Sequence, residues 1–205
     1  NDWVLHNPYS DKSLMRNALT FEMGRAMGRY APRTKFCEVF LNGEYLGVYV
    51  LMEKIKRDSN RVNIAKLDAT MNDGDALTGG YIIKIDKLFG SGGDGWQSPF
   101  ESEDWLSPFF QFTYPKFDEI TDAQKLYIEE EVSAFEAALA GDAFVDLTTG
   151  YRSHIDVSSF IDFMIIQELS RNVDGYRLST FLYKDRDSLG GKLSIGPLWD
   201  FNLAF

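Results

Sequence analysis

Two aspartates near the C-terminal end have the residue type and the spacing to do chemistry. Asp174 stands in Arg171-Asn172-Val173-Asp174-Gly175, behind a helical pattern, and Asp200 follows 26 residues later in Gly196-Pro197-Leu198-Trp199-Asp200-Phe201. Between them the pattern predicts a strand hairpin, Thr180 to Lys184 and Lys192 to Ile195, turned over Asp185 to Gly191. That layout sets both carboxylates at the mouth of one small hairpin. One carboxylate can take the proton of an attacking hydroxyl while the other holds a magnesium ion against phosphate charge, which is what phosphoryl transfer requires. The same spacing fits a plainer arrangement, in which Asp174 caps a turn and Asp200 closes the hairpin. A metal-activated water, and so hydrolysis, is a third use of two acidic groups, but no His or additional carboxylate spacing supports it.

The elements that must position these groups are legible in part. Asp11 or Ser13 can cap a helix running to about Gly28, with Met15, Leu19 and Met23 as an apolar stripe. Phe36 to Leu41 and Glu44 to Met52 are strand-like runs joined by Asn42-Gly43, a preferred type I′ hairpin turn. Cys37, Val39 and Leu41 alternate with their neighbours in the first run. Leu46, Val48, Val50 and Met52 share a face in the second. Gly79 to Asp86 reads as a further strand. Residues 90 to 120, rich in Gly, Ser, Pro and aromatics, read as a long surface excursion. Thr121 with Gln124 forms a capping-box pattern for a helix to about Ala140, with Ile128, Val132, Phe135 and Leu139 inward. Another helix spans about Asp156 to Ser170 and uses Val157, Phe160, Ile161 and Met164. The expected class is α+β, antiparallel strands first and a mainly helical part after them.

Composition narrows the field of functions. With 205 residues, 44% apolar and 25% charged, the chain is sized for one globular domain with a real core. The 15% of aromatics suits a sheet-rich core or a stacking surface in a cleft. A net charge of -10 argues against nucleic acid as a partner and is compatible with carboxylates that hold a divalent cation. No apolar run approaches the ~20 residues of a membrane span. Cys37 is alone, which rules out an internal disulfide, and His6 and His154 stand in no ligand spacing.

Several segments resemble the CotH (spore coat protein H-like) family of atypical kinases. They are Asp2 to Leu5 with Asp11 to Asn17, Val39 to Tyr49, the nearby Glu53, Gly79-Gly80-Tyr81, and Gly196 to Phe201. They run in order over nearly the whole chain, which is what makes the resemblance strong. It implies an atypical protein-kinase-like fold that binds ATP with Mg2+ or Mn2+ and phosphorylates Ser or Thr of a protein substrate. On this resemblance Asp174 matches the catalytic base and Asp200 the metal-binding Asp. Arg16 falls in the family's Arg-Asn segment, near the phosphates, or is an exposed helix arginine. Glu53 ends a strand beside the nucleotide, or pairs at the surface with Lys56 or Arg57. Trp199 shapes the cleft or is a core aromatic. The resemblance also implies a bacterial, extracellular or cell-surface setting.

Three departures accompany it. A kinase catalytic loop places Asn five residues after the catalytic Asp, for a second magnesium; Ser179 stands there, and its hydroxyl can ligate metal only as a neutral oxygen. Asn202 stands where the family often has another Asp. The family's domain usually begins upstream, with a strand carrying a phosphate-binding lysine, so residues 1–205 read as one domain shortened at its N-terminal edge and just after 205. Lys84 could supply a replacement charge, or be a solvated strand end. These departures leave open a non-catalytic module that binds protein or polysaccharide through Trp96, Phe100, Trp105, Phe109 and Phe110.

Overall fold

The computed structural model describes residues 2–88, 94–100 and 107–205. Among the described residues eight strands form two sheets, and every strand pair within them is antiparallel. The first has three strands: β1 (Trp3–His6), β2 (Thr34–Leu41) and β3 (Glu44–Glu53), in the order β1-β3-β2. Asn42 and Gly43 take φ of 52° and 85°, the two left-handed residues that a type I′ turn demands. A bulge between Val39 and Phe40 then breaks the alternation expected from sequence. Val50 and Met52 are buried, whereas Leu46 and Val48 are exposed.

The second sheet has five strands in the order β5-β6-β4-β7-β8: β4 (Tyr81–Ile85), β5 (Gly95–Gln97), β6 (Phe109–Tyr114), β7 (Thr180–Lys184) and β8 (Ser194–Ile195). The strands-then-helices order is therefore only half right. β7 returns from the C-terminal end to pair with β4, and β8 adds to its outer edge, because β4 buries both faces and needs neighbours on both edges. Tyr81 and Ile83 enter one core and Ile82 another.

The 90–120 stretch is not simply a surface excursion. It supplies β5 and β6, with Trp96 and Phe110 buried at the centre of the larger core. Trp96 stacks on Phe110 at 5.1 Å and tilts against Phe112 at 5.2 Å. Trp105 lies outside the described residues, and Phe100 is exposed. Trp96 and Phe110, paired across β5 and β6, are thus sheet core rather than members of the stacking patch that the binding-module alternative expected.

Among the described residues four α-helices complete the fold: α1 (Arg16–Ala26), the single turn α2 (Gly74–Leu77), α3 (Asp122–Ala140) and α4 (Val157–Ser170). The capping box at Thr121 and Gln124 forms as expected, and Asp156 caps α4 by accepting from the Ser158 amide. α1 begins later than Asp11, yet Asp11 still serves its N-terminus: it accepts from the Arg16 amide at 2.8 Å. The inward face of α1 differs from the apolar stripe read from sequence, and of the α4 stripe only Val157 and Phe160 pack against the core. α1 buries Asn17, Thr20, Phe21 and Gly24 and leaves Met15 and Leu19 exposed. α4 buries Phe163, Ile166 and Gln167 and leaves Ile161 and Met164 exposed. Leu139 of α3 is exposed too. No helix among the described residues is long and apolar enough to cross a membrane.

Candidate functional site

Both aspartates sit at the ends of buried elements that fix them. Asp174 follows α4 in a tight loop whose backbone presses on that helix. A Cβ at Gly175 would lie 2.8 Å from the buried Gln167 Oε1 and 3.0 Å from the Asn172 carbonyl, so any larger residue would make Gln167 and the loop shift. Asp200 lies between Trp199, which stacks on Phe21 at 6.3 Å and meets Phe181 edge-on at 6.4 Å, and Phe201, which is wholly buried. Trp199 is thus the core aromatic of its two readings, wedged between two hydrophobic clusters.

The hairpin brings the two carboxyl groups together. Asp200 is open to solvent, yet surrounding protein pushes its pKa above the ordinary carboxylate value, and the negative charge of Asp174 pushes in the same direction. His6 and a hydrogen bond from Ser179 Oγ, 3.5 Å from Asp200 Oδ2, act oppositely but more weakly. Asp174 Oδ1 is held by Arg177 Nη2 at 2.8 Å. Two carboxylates that repel across a solvent-open notch, with a hydroxyl beside one of them, form a donor set that fits a divalent cation shared with phosphate oxygens. Among the described residues no cluster of three or more His, Cys, Asp or Glu encloses a metal by itself. A magnesium bound to phosphates needs only one or two protein carboxylates.

The backbone around the notch is strained. Arg171, Tyr176, Ser179 and Asp200 all have left-handed φ, between 49° and 69°. Each costs about 1 kcal/mol or more, and such residues concentrate where geometry serves a site. Spacing gave no warning of this, nor of two further groups. His6 comes near through β1. Asp86, just past β4 and paired with Lys84 at 2.7 Å, adds its charge to the field at Asp200. Lys84 is therefore no solvated strand end; its side chain is largely buried against Asp86.

Arg16 and Glu53 are each held by contacts from distant parts of the chain. Arg16 donates from Nη1 to the Asn202 carbonyl at 3.0 Å and lies 3.4 Å from Asp11, so it grips the backbone two residues beyond Asp200. Glu53 is wholly buried, and its partners are Arg33, Arg61 and Tyr30 rather than Lys56 or Arg57. Burial opposes its ionisation, but the hydrogen bonds and charge of Arg33 prevail and hold its pKa below the ordinary value. Two hollows exist elsewhere, of about 230 Å³ beside Tyr30, Arg61 and Pro197, and about 630 Å³ between the five-stranded sheet and α3 and α4. Neither is lined by Asp174 or Asp200. The acidic notch, where charge and strain converge, is the stronger candidate site.

An α+β protein with two antiparallel sheets, holding an acidic pair at the mouth of its last hairpin, is the class that fold and site define. Within that class the chain belongs to the CotH kinase protein family, whose model matches residues 1–205. It is similar to the inner spore coat protein H of Bacillus subtilis (strain 168), 24% identical over 201 residues. The match takes in 98% of this chain and 49% of that relative, so the chain spans about half the length of the relative.

Proposed function

We propose that this chain transfers the γ-phosphoryl group of ATP to a Ser or Thr hydroxyl of a protein, with Mg2+ or Mn2+. The observation that carries the reading is that Asp174, in the loop before β7, and Asp200, just after β8, lie at the same end of this antiparallel pair, where Ser179 Oγ is 3.5 Å from Asp200 Oδ2. Asp174 acts as base: Arg177 holds Oδ1, and the carboxylate accepts the hydroxyl proton as the oxygen attacks phosphorus. Asp200, with Ser179 Oγ beside it, holds the cation. That cation, when bound, neutralises phosphate charge as the bond to the leaving diphosphate breaks. The relative's name places that protein in the inner spore coat, and we read this chain as working at a coat or cell surface.

Calorimetric titration of ATP with magnesium or manganese tests the reading. Metal-dependent binding that vanishes in Asp200→Ala is expected, and so is binding without transfer in Asp174→Asn, with turnover at least ~100-fold lower. Binding that is indifferent to metal or to Asp200→Ala overturns it.

A further inference from the structure

Asp200 stands at a left-handed φ of 61°, a conformation that must be held from outside. Part of the hold comes from the packing of Trp199 and Phe201. The rest comes from the first turn of α1, two adjacent residues of which reach the backbone just beyond Asp200. Arg16 Nη1 donates to the Asn202 carbonyl at 3.0 Å. Asn17 Oδ1 accepts the amide N–H of Phe201 at 2.6 Å. Asn17 is 5% exposed, on the face of α1 that also buries Thr20, Phe21 and Gly24, so its amide must find its partners within the fold.

The other end of that amide is fixed as well. With Oδ1 committed to Phe201, the Asn17 Nδ2 group faces His6 Nε2 at 3.2 Å. An NH2 group can only donate, so His6 Nε2 accepts and the ring proton belongs on Nδ1. β1, α1 and the Asp200 segment are thereby joined through one side chain.

We propose that Asn17 is a positioning residue for the Asp200 carboxylate: through the Phe201 amide it sets the direction in which Asp200 meets its cation. The inference rests on the metal-dependent reading of Asp200 and assigns Asn17 no contact with metal or nucleotide. Loss of a group that orients a ligand typically weakens metal affinity 10–100-fold.

Manganese affinity in the presence of ATP, read by calorimetry, together with the melting temperature of the metal-free protein, tests it. Asn17→Ser withdraws the acceptor from Phe201 and is expected to weaken manganese about 10-fold or more. Asn17→Asp keeps the acceptor and lets His6 donate to it, so it is expected to restore most of the affinity. Thr20→Val, at an equally buried position one turn along α1, removes the hydroxyl that donates to the Arg16 carbonyl but leaves the Asn17 acceptor in place, and so controls for general disturbance of the helix. A folded Asn17→Ser that binds manganese as tightly as the unaltered protein overturns the inference and leaves the kinase reading intact. So does a Thr20→Val variant that loses affinity in parallel. No manganese binding by the unaltered protein overturns both. If Asn17→Ser fails to fold, Asn17→Asp decides: retained affinity supports the role of the acceptor, and a loss equal to that of Asp200→Ala overturns it.

Discussion

At Asp200 the surrounding protein and the facing charge of Asp174 both favour the protonated carboxyl. A carboxyl whose folded pKa exceeds its unfolded one adds stability below the unfolded pKa and loses it as pH rises through the folded value. Ionised Asp200 therefore destabilises the metal-free fold at neutral pH. Asp200→Asn is expected to raise the melting temperature of metal-free protein at pH 7 by roughly 1–2 °C, solvent exposure keeping the effect small. The gain disappears below about pH 3.8, where the native carboxyl is already protonated in both states. Glu53 has the opposite sign. Its pKa is held down, so its contribution is present above about 4.5 and is lost as pH falls through the folded value. Glu53→Gln leaves Arg61, whose side chain is 7% exposed, without its counter-charge, and is expected to cost about 3 kcal/mol in urea denaturation at pH 7, the deficit narrowing in acid. The types and spacing of Asp174 and Asp200 were legible in the sequence. His6, Asn17 and Asp86 were not, because each reaches the notch from a separate element through contacts across the fold.

At the scale of elements, the hairpin turn, the capping box and the last hairpin were readable because each is set by residues close in sequence. The face of α1 and half of that of α4 were misread, because an apolar residue at helical spacing satisfies a pattern whichever side the neighbours lie on. Asn17, Thr20 and Gly24 are buried on α1 because the helix lies close against Leu198 and the Asp200 segment, where small and polar groups are needed. β5 and β6 escaped notice because their glycine and proline surroundings read as loop. Trp96→Ala removes the centre of the stack with Phe110 and Phe112 and is expected to cost about 3–5 kcal/mol by denaturant titration. A change near zero would instead mean that Trp96 contributes to a surface.

For the molecule as a whole, the notch draws on both sheets and on α1, so its occupation should stabilise the fold as one unit. ATP with magnesium at about 100 times Kd is expected to add about 2.7 kcal/mol. That is a rise in melting temperature of roughly 5–10 °C in a single transition, absent in Asp200→Ala. Two separate transitions, with one unmoved by the ligand, would show that the sheets do not respond together.

The sequence by itself determined the α+β class, the local turns and caps, the family resemblance and the two aspartates, because these follow from residue type and short-range spacing. Tertiary structure alone decided that β6 and β7 flank a central β4, that Trp96 and Phe110 are core, and that Glu53 is a buried ion-pair partner. It also decided that α1 grips the chain beyond Asp200. Each of these depends on which distant surfaces exclude water together, and one strand or helix carries no record of its partners.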